Sequence, residues 1–309
     1  MSVTFCGLSL AHRVINGSGT FDAVAARTVF GEQLERSFPF AAYVSKTITL
    51  RARPGNPPPR LWEAPGGLIN SIGLPNKGLA GYLSEDLPRL SGFVAAEPAR
   101  PDDPKASAAA RERALRVPLV TNVMGSTADE FCTLVDACDS HEQIDAIELN
   151  VSCPNVSTGL DIGADPTALG QMIARVRPRT QKPLIVKLTP NTADAASCAA
   201  AAQAAGADAV SLINTLRAMA LAPARANGRP SPWLGGGTGG LSGPAVRTVA
   251  LAQVCAVAER VEVPVVGMGG VETASHARDM LDAGATLVAV GTASFRDPQA
   301  AARIARELA

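Results

Sequence analysis

Short apolar runs recur along the chain, and they are continuous rather than alternating with polar residues, as at 118–123, 183–188 and 286–292. Continuous apolar character predicts parallel strands that are buried on both faces of a sheet. Eight such runs follow one another from Tyr43 onward, counting a short one at Leu68, and helical segments separate them. Eight β/α units within 309 residues predict a (β/α)8 TIM barrel, whose chemistry lies at the carboxyl ends of its strands. A doubly wound sheet is the alternative.

Charge and composition exclude several classes of protein. The 28 basic and 28 acidic residues cancel and no basic block stands out, so we expect no nucleic-acid partner. No apolar run approaches the roughly 20 residues that span a bilayer, and no signal-peptide pattern begins the chain. We therefore expect no membrane association. We expect one domain over residues 1–309, with the proline- and charge-rich stretch 93–116 as a surface excursion.

The cysteines carry information through their spacing. None belongs to a C-x-x-C pair, so neither a disulfide scaffold nor a metal or iron–sulfur site is predicted. A reduced, cytoplasmic protein is the natural interpretation. The six cysteines are Cys6, Cys132, Cys138, Cys153, Cys198 and Cys255.

Polar side chains end several of the apolar runs. A single lysine or asparagine at a strand end is usually just solvated. Because parallel strands in a barrel bring their carboxyl ends to one mouth, six of them together predict a site. These residues are Lys46, Asn70, Asn122, Asn150, Lys187 and Asn214.

A loop after the run 145–151 places a thiol beside this mouth. Pro154 restricts Cys153 before it to extended conformations, so the thiol is presented in one direction. A lone cysteine is more often a small apolar residue packed under a loop. The surrounding asparagines and lysines favour a catalytic role here.

The last two strands end in glycine, at Gly269-Gly270 and Gly291-Thr292, where barrels commonly bind phosphate with bare amides, and Gly243 begins another helix nearby. No histidine cluster or carboxylate pair accompanies them. A phosphorylated cofactor that carries the chemistry is therefore favoured over hydrolysis or metal catalysis. The glycines at 235–240 formally match G-x-G-x-x-G, but the strand and helix that a dinucleotide site needs are not evident there.

The sequence resembles class 1 dihydroorotate dehydrogenases, in particular the catalytic subunit of the NAD-linked 1B type. The resemblance extends from about Val14 to Pro298. The motifs that carry it are Asn-Val-Ser-Cys-Pro-Asn, Gly-Leu-Ile-Asn-Ser-Ile-Gly-Leu-Pro-Asn, Ile-Asn-Thr, Gly-Gly-Leu-Ser-Gly-Pro and Gly-Met-Gly-Gly, at 150–155, 67–76, 213–215, 239–244 and 267–270.

The resemblance implies an FMN-containing barrel that oxidises (S)-dihydroorotate to orotate in pyrimidine biosynthesis. Cys153 matches the family's catalytic base, and a serine there would indicate the membrane-associated class 2. The positions that match substrate contacts are Lys46, Asn70, Ile72, Gly73, Leu74, Asn150, Asn155, Asn214 and Thr215. The positions that match FMN contacts are Ser18, Gly19, Lys46, Thr47, Asn122, Asn150, Lys187, Ile213, Gly243, Gly269, Gly270, Gly291 and Thr292.

The resemblance also implies partners. A 1B-type chain passes electrons to NAD⁺ through a separate subunit that carries FAD and a 2Fe-2S cluster, and we expect a homodimer of barrels or a heterotetramer. Two stretches, 93–116 and 218–237, depart from the family pattern. The alternatives are a dihydropyrimidine dehydrogenase-type barrel acting on uracil or thymine, and a non-catalytic nucleotide-binding barrel.

Overall fold

The computed structural model describes residues 2–95, 115–151, 162–223, 228 and 230–309. Its strands are β1 Val3–Phe5, β2 Leu8–Leu10, β3 Val14–Asn16, β4 Tyr43–Val44, β5 Leu61–Ala64, β6 Gly67–Asn70, β7 Val94–Ala95, β8 Leu115–Arg116, β9 Leu119–Val123, β10 Ala146–Asn150, β11 Leu184–Lys187, β12 Ala209–Leu212, β13 Leu216–Ala218, β14 Gly239–Ser242, β15 Val265–Met268 and β16 Leu287–Val290. Its α-helices are α1 Ala23–Phe30, α2 Glu32–Arg36, α3 Gly78–Gly81, α4 Ala128–Asp139, α5 Pro166–Val176, α6 Ala195–Ala204, α7 Arg247–Ala258, α8 Ala274–Asp282, α9 Ala293–Arg296 and α10 Ala300–Leu308. A π-helical segment is Tyr82–Asp86, and the 3-10 turns are Leu87–Arg89, Ile162–Ala164, Arg177–Arg179 and Pro244–Val246.

Eight parallel strands form the predicted barrel. Their order is β3, β16, β15, β12, β11, β10, β9 and β4. Every neighbouring pair is parallel, and helices α4 to α8 connect successive strands from β9 to β16. The (β/α)8 prediction is therefore confirmed.

One strand was assigned wrongly from the sequence. The run at Leu68 lies in β6, which belongs to a separate antiparallel sheet of order β13, β14, β6, β5, and the barrel uses β3 instead. β6 follows β5 through a tight hairpin, and antiparallel neighbours need no crossover helix. This four-stranded sheet lies over the barrel mouth, so Asn70 at the end of β6 still reaches it.

Local sequence sets where several helices begin and end. The side chains of Thr127, Asp165, Asp194 and Thr273 each accept a hydrogen bond from a backbone N–H in the first turn of α4, α5, α6 and α8. Such caps satisfy donors that the helix itself leaves open. Gly206, with φ of 97°, ends the alanine-rich α6 in the left-handed conformation.

The inner core fills the barrel with one alternating set of side chains. It includes Val120 of β9, Ile185 of β11 and Leu287 of β16, and Phe5 and Leu10 of the β1–β2 hairpin join it from the amino-terminal end. A larger core lies between the barrel and its helices. With the amino-terminal end covered in this way, the carboxyl ends of the strands are left for a site.

The excursion predicted at 93–116 is described only at its two ends. β7 and β8 pair as a short antiparallel ribbon, and Phe93 is buried against Phe38, with ring centroids 4.4 Å apart. Residues 96–114 lie outside the described part of the chain. In the parts that are described, no helix combines the length and apolar character needed to cross a bilayer.

Asn16 joins the two strands at the ends of the barrel order. Its side chain is fully buried, and Nδ2 donates to the Val44 carbonyl at 2.8 Å while Oδ1 accepts from the Val44 N–H at 2.7 Å. The Ala41 N–H also donates to the Val14 carbonyl at 2.9 Å. The asparagine amide therefore replaces a stretch of main-chain ladder between β3 and β4 and closes the barrel.

We predict that Asn16→Ala lowers the free energy of unfolding by about 2–5 kcal/mol, because it leaves the buried Val44 N–H and carbonyl without partners, at about 1–3 kcal/mol each. Urea titration followed by circular dichroism measures the change. Thr28→Ala, at an exposed position of α1, is the control and should stay within about 0.5 kcal/mol of the parent. An Asn16→Ala protein as stable as the control would contradict this account of closure.

Candidate active site

One cavity of about 320 Å³ opens at the carboxyl ends of the barrel strands. This volume falls within the usual range for a ligand site, about 300–1,000 Å³. Most of the residues predicted for a site line it. They are Ser18, Gly19, Lys46, Thr47, Asn70, Ile72, Gly73, Leu74, Asn150, Lys187, Ile213, Asn214, Thr215, Gly243, Gly269, Gly270, Gly291 and Thr292.

Three predicted residues are not among those lining it. Cys153 and Asn155 lie outside the described residues. Asn122 does not lie at the mouth as expected, because β9 continues past it to Val123 and the asparagine is fully buried inside the barrel. It is level with Glu148 in the β9–β10 register, one inward-facing position below Asn150.

Two lysines give the cavity positive charge. Lys187 ends β11, is buried, and stands in register with Asn150 of β10 and Ser211 of β12. Lys46 projects past Gly19, and its solvent-accessible end faces the mouth. Desolvation by the surrounding protein lowers the pKa of Lys46, Asp22 opposes that shift, and the positive charge of Arg60 adds to it.

The amide side chains of the cavity hold one another in place. Asn214 Nδ2 donates to Asn150 Oδ1 at 3.4 Å, and Asn150 Nδ2 donates to Thr47 Oγ1 at 3.3 Å. Asn214 Oδ1 accepts from the Thr215 N–H at 2.9 Å. Asn70, from the sheet above, donates to the Gly240 carbonyl at 3.2 Å. A planar ligand with its own amide groups would therefore meet donors and acceptors whose directions are already set.

The opposite end of the cavity is bare backbone. Gly243, Gly269 and Gly270 have φ values of 91°, 130° and 70°, which side-chain-bearing residues rarely adopt. A Cβ on Gly270 would lie 2.8 Å from the Gly243 carbonyl oxygen, so the two turns pack directly on each other. Thr292 Oγ1 donates to Ser242 Oγ at 2.8 Å beside them. Exposed amides on such turns are suited to a phosphate.

The loop that follows β6 has a strained backbone on the cavity wall. Gly73 and Leu74 have φ values of 74° and 54°, and a left-handed conformation costs a residue with a Cβ about 1–2 kcal/mol. A Cβ on Gly73 would lie 2.4 Å from the Asn56 nitrogen, so only glycine fits there. Strain of this kind persists where surrounding contacts impose it, often at binding sites.

A buried polar cluster below the cavity was not predicted. Glu148 is 3% exposed inside the barrel and accepts hydrogen bonds from Asn122 Nδ2 on one carboxylate oxygen and from Ser211 Oγ, at 2.7 Å, on the other. The Asn122 N–H donates to Ser45 Oγ at 3.0 Å. The sequence signal that could have revealed this cluster is a glutamate within an otherwise apolar strand. A carboxylate buried there needs hydrogen-bond partners on neighbouring strands. The cluster ties β4, β9, β10 and β12 together directly beneath the mouth.

The sequence analysis also did not predict the other residues that line the cavity. Most of them are apolar, and an apolar side chain at a strand or loop end carries no distinctive sequence signal. Beyond the predicted set, the lining consists of Gly17, Thr20, Leu61, Leu68, Leu241, Ser242, Val246, Met268, Val271, Glu272, Ala293 and Phe295.

These features fit the FMN that the sequence resemblance implied. The aliphatic walls suit a flat ring, and the backbone of Gly243, Gly269 and Gly270, which lines the cavity, can offer amides to one phosphate. Asn122 Oδ1 has no hydrogen-bond partner among the described residues, but this asparagine is fully buried below the mouth and is not part of the cavity lining. Among the described residues, no group of three or more His, Cys, Asp or Glu side chains is placed to hold a metal ion.

Comparison with known proteins gives a consistent result. The family model for dihydroorotate dehydrogenase matches residues 1–309. Relatives named as the catalytic subunit of dihydroorotate dehydrogenase B (NAD(+)) include that of Desulforudis audaxviator, 41% identical over 99% of this chain and 91% of its own length. Those of Pelobacter propionicus and Geobacter sulfurreducens are 40% and 38% identical, over 99% and 100% of this chain and 91% and 92% of their own.

Neither a dihydropyrimidine dehydrogenase-type barrel nor a non-catalytic nucleotide-binding barrel is favoured by these matches. The family model covers the full length of the chain, and the barrel and its cavity agree with that match. The chain therefore belongs to the dihydroorotate dehydrogenase family.

Proposed function

We propose that this chain is the catalytic, FMN-binding subunit of an NAD-linked dihydroorotate dehydrogenase, which oxidises (S)-dihydroorotate to orotate in pyrimidine biosynthesis. The observation that carries the proposal is the convergence of the predicted lysines, asparagines and glycine turns on one cavity, in a chain that the family model matches from residue 1 to residue 309.

The reaction removes a proton from C5 and a hydride from C6 of the substrate, which leaves the C5–C6 double bond of orotate. We assign the proton to the thiolate of Cys153, which follows β10 and the cavity residue Asn150 in the sequence. FMN, when bound, supplies the hydride acceptor. Proton removal by a positioned base contributes roughly 10²–10⁴-fold to such a step.

The remaining residues bind and orient. We assign the substrate carboxylate to Lys46 and to the backbone around Gly73 and Leu74, and the pyrimidine amides to the asparagines of the mouth, including Asn155. Lys187 and Thr47, which line the same cavity, are assigned to the cofactor. The phosphate is assigned to the glycine turns, because their backbone lines the cavity and amides of this kind bind phosphate. The apolar walls exclude water from the reacting atoms and strengthen these polar contacts.

Anaerobic addition of dihydroorotate to the FMN-loaded protein tests the function. We predict that the flavin absorbance bleaches in the parent protein, and that Cys153→Ala keeps its FMN but reduces it roughly 10²–10⁴-fold more slowly, because the base is missing. Cys255→Ala, at an exposed position on α7, is the matched control and should behave as the parent. A parent protein that bleaches with uracil-derived dihydropyrimidines but not with dihydroorotate would contradict the proposed substrate.

The lowered pKa of Lys46 gives a pH prediction for orotate binding. The ammonium attracts the carboxylate only while protonated, so affinity should be full below the pKa of the free protein and fall as pH rises through it. Because burial lowers that pKa, the fall should begin below the ordinary lysine value of 10.5.

Orotate dissociation constants measured across pH by flavin absorbance check this. Lys46→Arg is the control, since its guanidinium stays charged throughout while the ligand's own ionisation is unchanged. Parallel pH profiles for the two proteins would show that Lys46 does not titrate in this range, contrary to the prediction.

We further propose a separate partner subunit carrying FAD and a 2Fe-2S cluster, docked near the flavin. The support is that this chain's cysteines lack cluster spacing and that 235–240 does not form a dinucleotide motif: Gly239 and Gly240 belong to β14, which no α-helix directly follows. We propose that residues 1–309 act as one domain in the cytoplasm, with 93–116 as a surface excursion, and assemble as a homodimer or heterotetramer.

The isolated chain should reduce artificial acceptors with dihydroorotate but should reduce NAD⁺ only when the partner is added, because in the proposed assembly the second redox centre belongs to the partner. Acceptor assays with and without the partner measure this. Rapid NAD⁺ reduction by the chain alone would remove the need for the partner, and rapid fumarate reduction would place the protein in the 1A subgroup.

A further inference from the structure

Asn76 lies behind the cavity wall, two residues beyond Leu74 in the loop that follows β6. It is half-buried and is not among the residues that line the cavity. Its backbone pairs with Arg53 in both directions, with Arg53 N–H to Asn76 carbonyl at 2.9 Å and Asn76 N–H to Arg53 carbonyl at 3.0 Å. These two hydrogen bonds fix the backbone of Asn76 and therefore the position from which its side chain extends.

The side-chain amide of Asn76 makes contacts that specify its orientation. Oδ1 accepts from the Gly78 N–H at 2.8 Å and from the Thr49 N–H at 3.2 Å. Nδ2 donates to the Leu74 carbonyl at 2.8 Å and to Thr49 Oγ1 at 3.0 Å. Rotating the amide by half a turn would place donors against donors and an acceptor against the Leu74 carbonyl. The two backbone N–H groups thus fix which end of the amide reaches Leu74.

The hydrogen bond from Asn76 to the Leu74 carbonyl acts on a residue of the cavity wall. Leu74 is held at a φ of 54°, a conformation that its Cβ disfavours, and both it and Gly73 face the cavity. The hydrogen bond from Asn76 Nδ2 holds the Leu74 carbonyl toward a residue that does not line the cavity. With the carbonyl held there, an anion at the wall meets no repulsive oxygen from this peptide.

We propose that Asn76 is a positioning residue that sets the affinity of the site for the carboxylate of its substrate, by holding Leu74 in the left-handed conformation. This rests on the proposed function, in which the backbone at Gly73 and Leu74 contacts that carboxylate. Asn76 itself touches neither substrate nor cofactor and acts through the loop.

The test measures orotate binding and single-turnover flavin reduction in the FMN-loaded protein. Asn76→Ala should weaken orotate binding about tenfold, which corresponds to about 1.4 kcal/mol. The limiting rate of flavin reduction at saturating dihydroorotate should change less than about threefold, because the reacting atoms keep their partners. FMN content should be unchanged, since the glycine turns lie on the other side of the cavity.

Asn76→Asp separates the donor from the acceptors. The aspartate keeps the shape and can still accept from Gly78 and Thr49, but it offers no hydrogen to the Leu74 carbonyl. It should weaken orotate binding at least as much as alanine does. Lys77→Ala is the neighbouring control: its exposed side chain pairs with Glu85 and Asp86, and orotate binding should stay at the parent value.

A double-mutant cycle with Leu74→Gly tests the mechanism directly. Glycine adopts this φ without steric cost, so the effect of Asn76→Ala should shrink to less than about threefold when residue 74 is glycine. An equal effect in both backgrounds would overturn the inference. So would parent-like binding in Asn76→Asp, or a loss confined to the limiting rate. A parent protein that fails to bind orotate would instead overturn the proposed function.

Discussion

Asn16 supplies the contact on which the barrel depends. A barrel of parallel strands has no free edge only if its first and last strands are joined, and β3 and β4 are too short to share a long ladder. The buried asparagine places a donor and an acceptor against both main-chain groups of Val44. An apolar residue at that position would satisfy the interior core but leave the seam open. Together with the main-chain bond from Ala41 to Val14, this contact closes the ring of strands whose ends form the mouth.

Above the apolar inner core, the barrel interior turns polar in two steps. In the lower layer, the carboxylate of Glu148 accepts hydrogen bonds from Asn122 and Ser211. One inward-facing position higher, Asn150 and Lys187 form the floor of the cavity. A buried carboxylate with both oxygens accepting hydrogen bonds is a rigid support, since breaking either contact leaves a polar group unpaired. The cluster gives strands from different parts of the chain a common attachment directly beneath the site. These hydrogen bonds restrain the relative positions of the strands that carry the cavity residues.

The other half of the site comes from outside the barrel. The sheet formed by β13, β14, β6 and β5 brings Asn70 and the loop with Gly73 and Leu74 over the mouth. Close packing of Gly73 against Asn56, and the contacts of Asn76, hold that loop in a backbone conformation that it would not choose alone. Strand ends provide side chains to the site, whereas this loop provides backbone, and in the proposed function the substrate carboxylate contacts both. A loop that contributes backbone needs residues that fix the course of the main chain, and Gly73 and Pro75 are of that kind.

The sequence by itself determined the barrel and the identity of most cavity residues. Parallel strands buried on both faces must be apolar throughout, so a lysine or asparagine at the end of such a run is conspicuous, and parallel pairing brings those ends to one place. The glycine-ended strands and the proline-restrained Cys153 were predicted from the residues as well, and the family resemblance then implied their roles, which stay predictions. Only the tertiary structure decided that Leu68 belongs to the covering sheet, that Asn122 lies below the mouth, and that Glu148 and Asn76 support the site. Asn76 bonds locally to Leu74 and Gly78, but its contacts with Thr49, the pairing of β6 with β14 and the bonds of Glu148 to Asn122 and Ser211 all join residues far apart in the chain. Hydrogen bonds of that kind leave no periodic pattern in the chain, because they are specified by the packing of whole strands and loops and not by neighbouring residues.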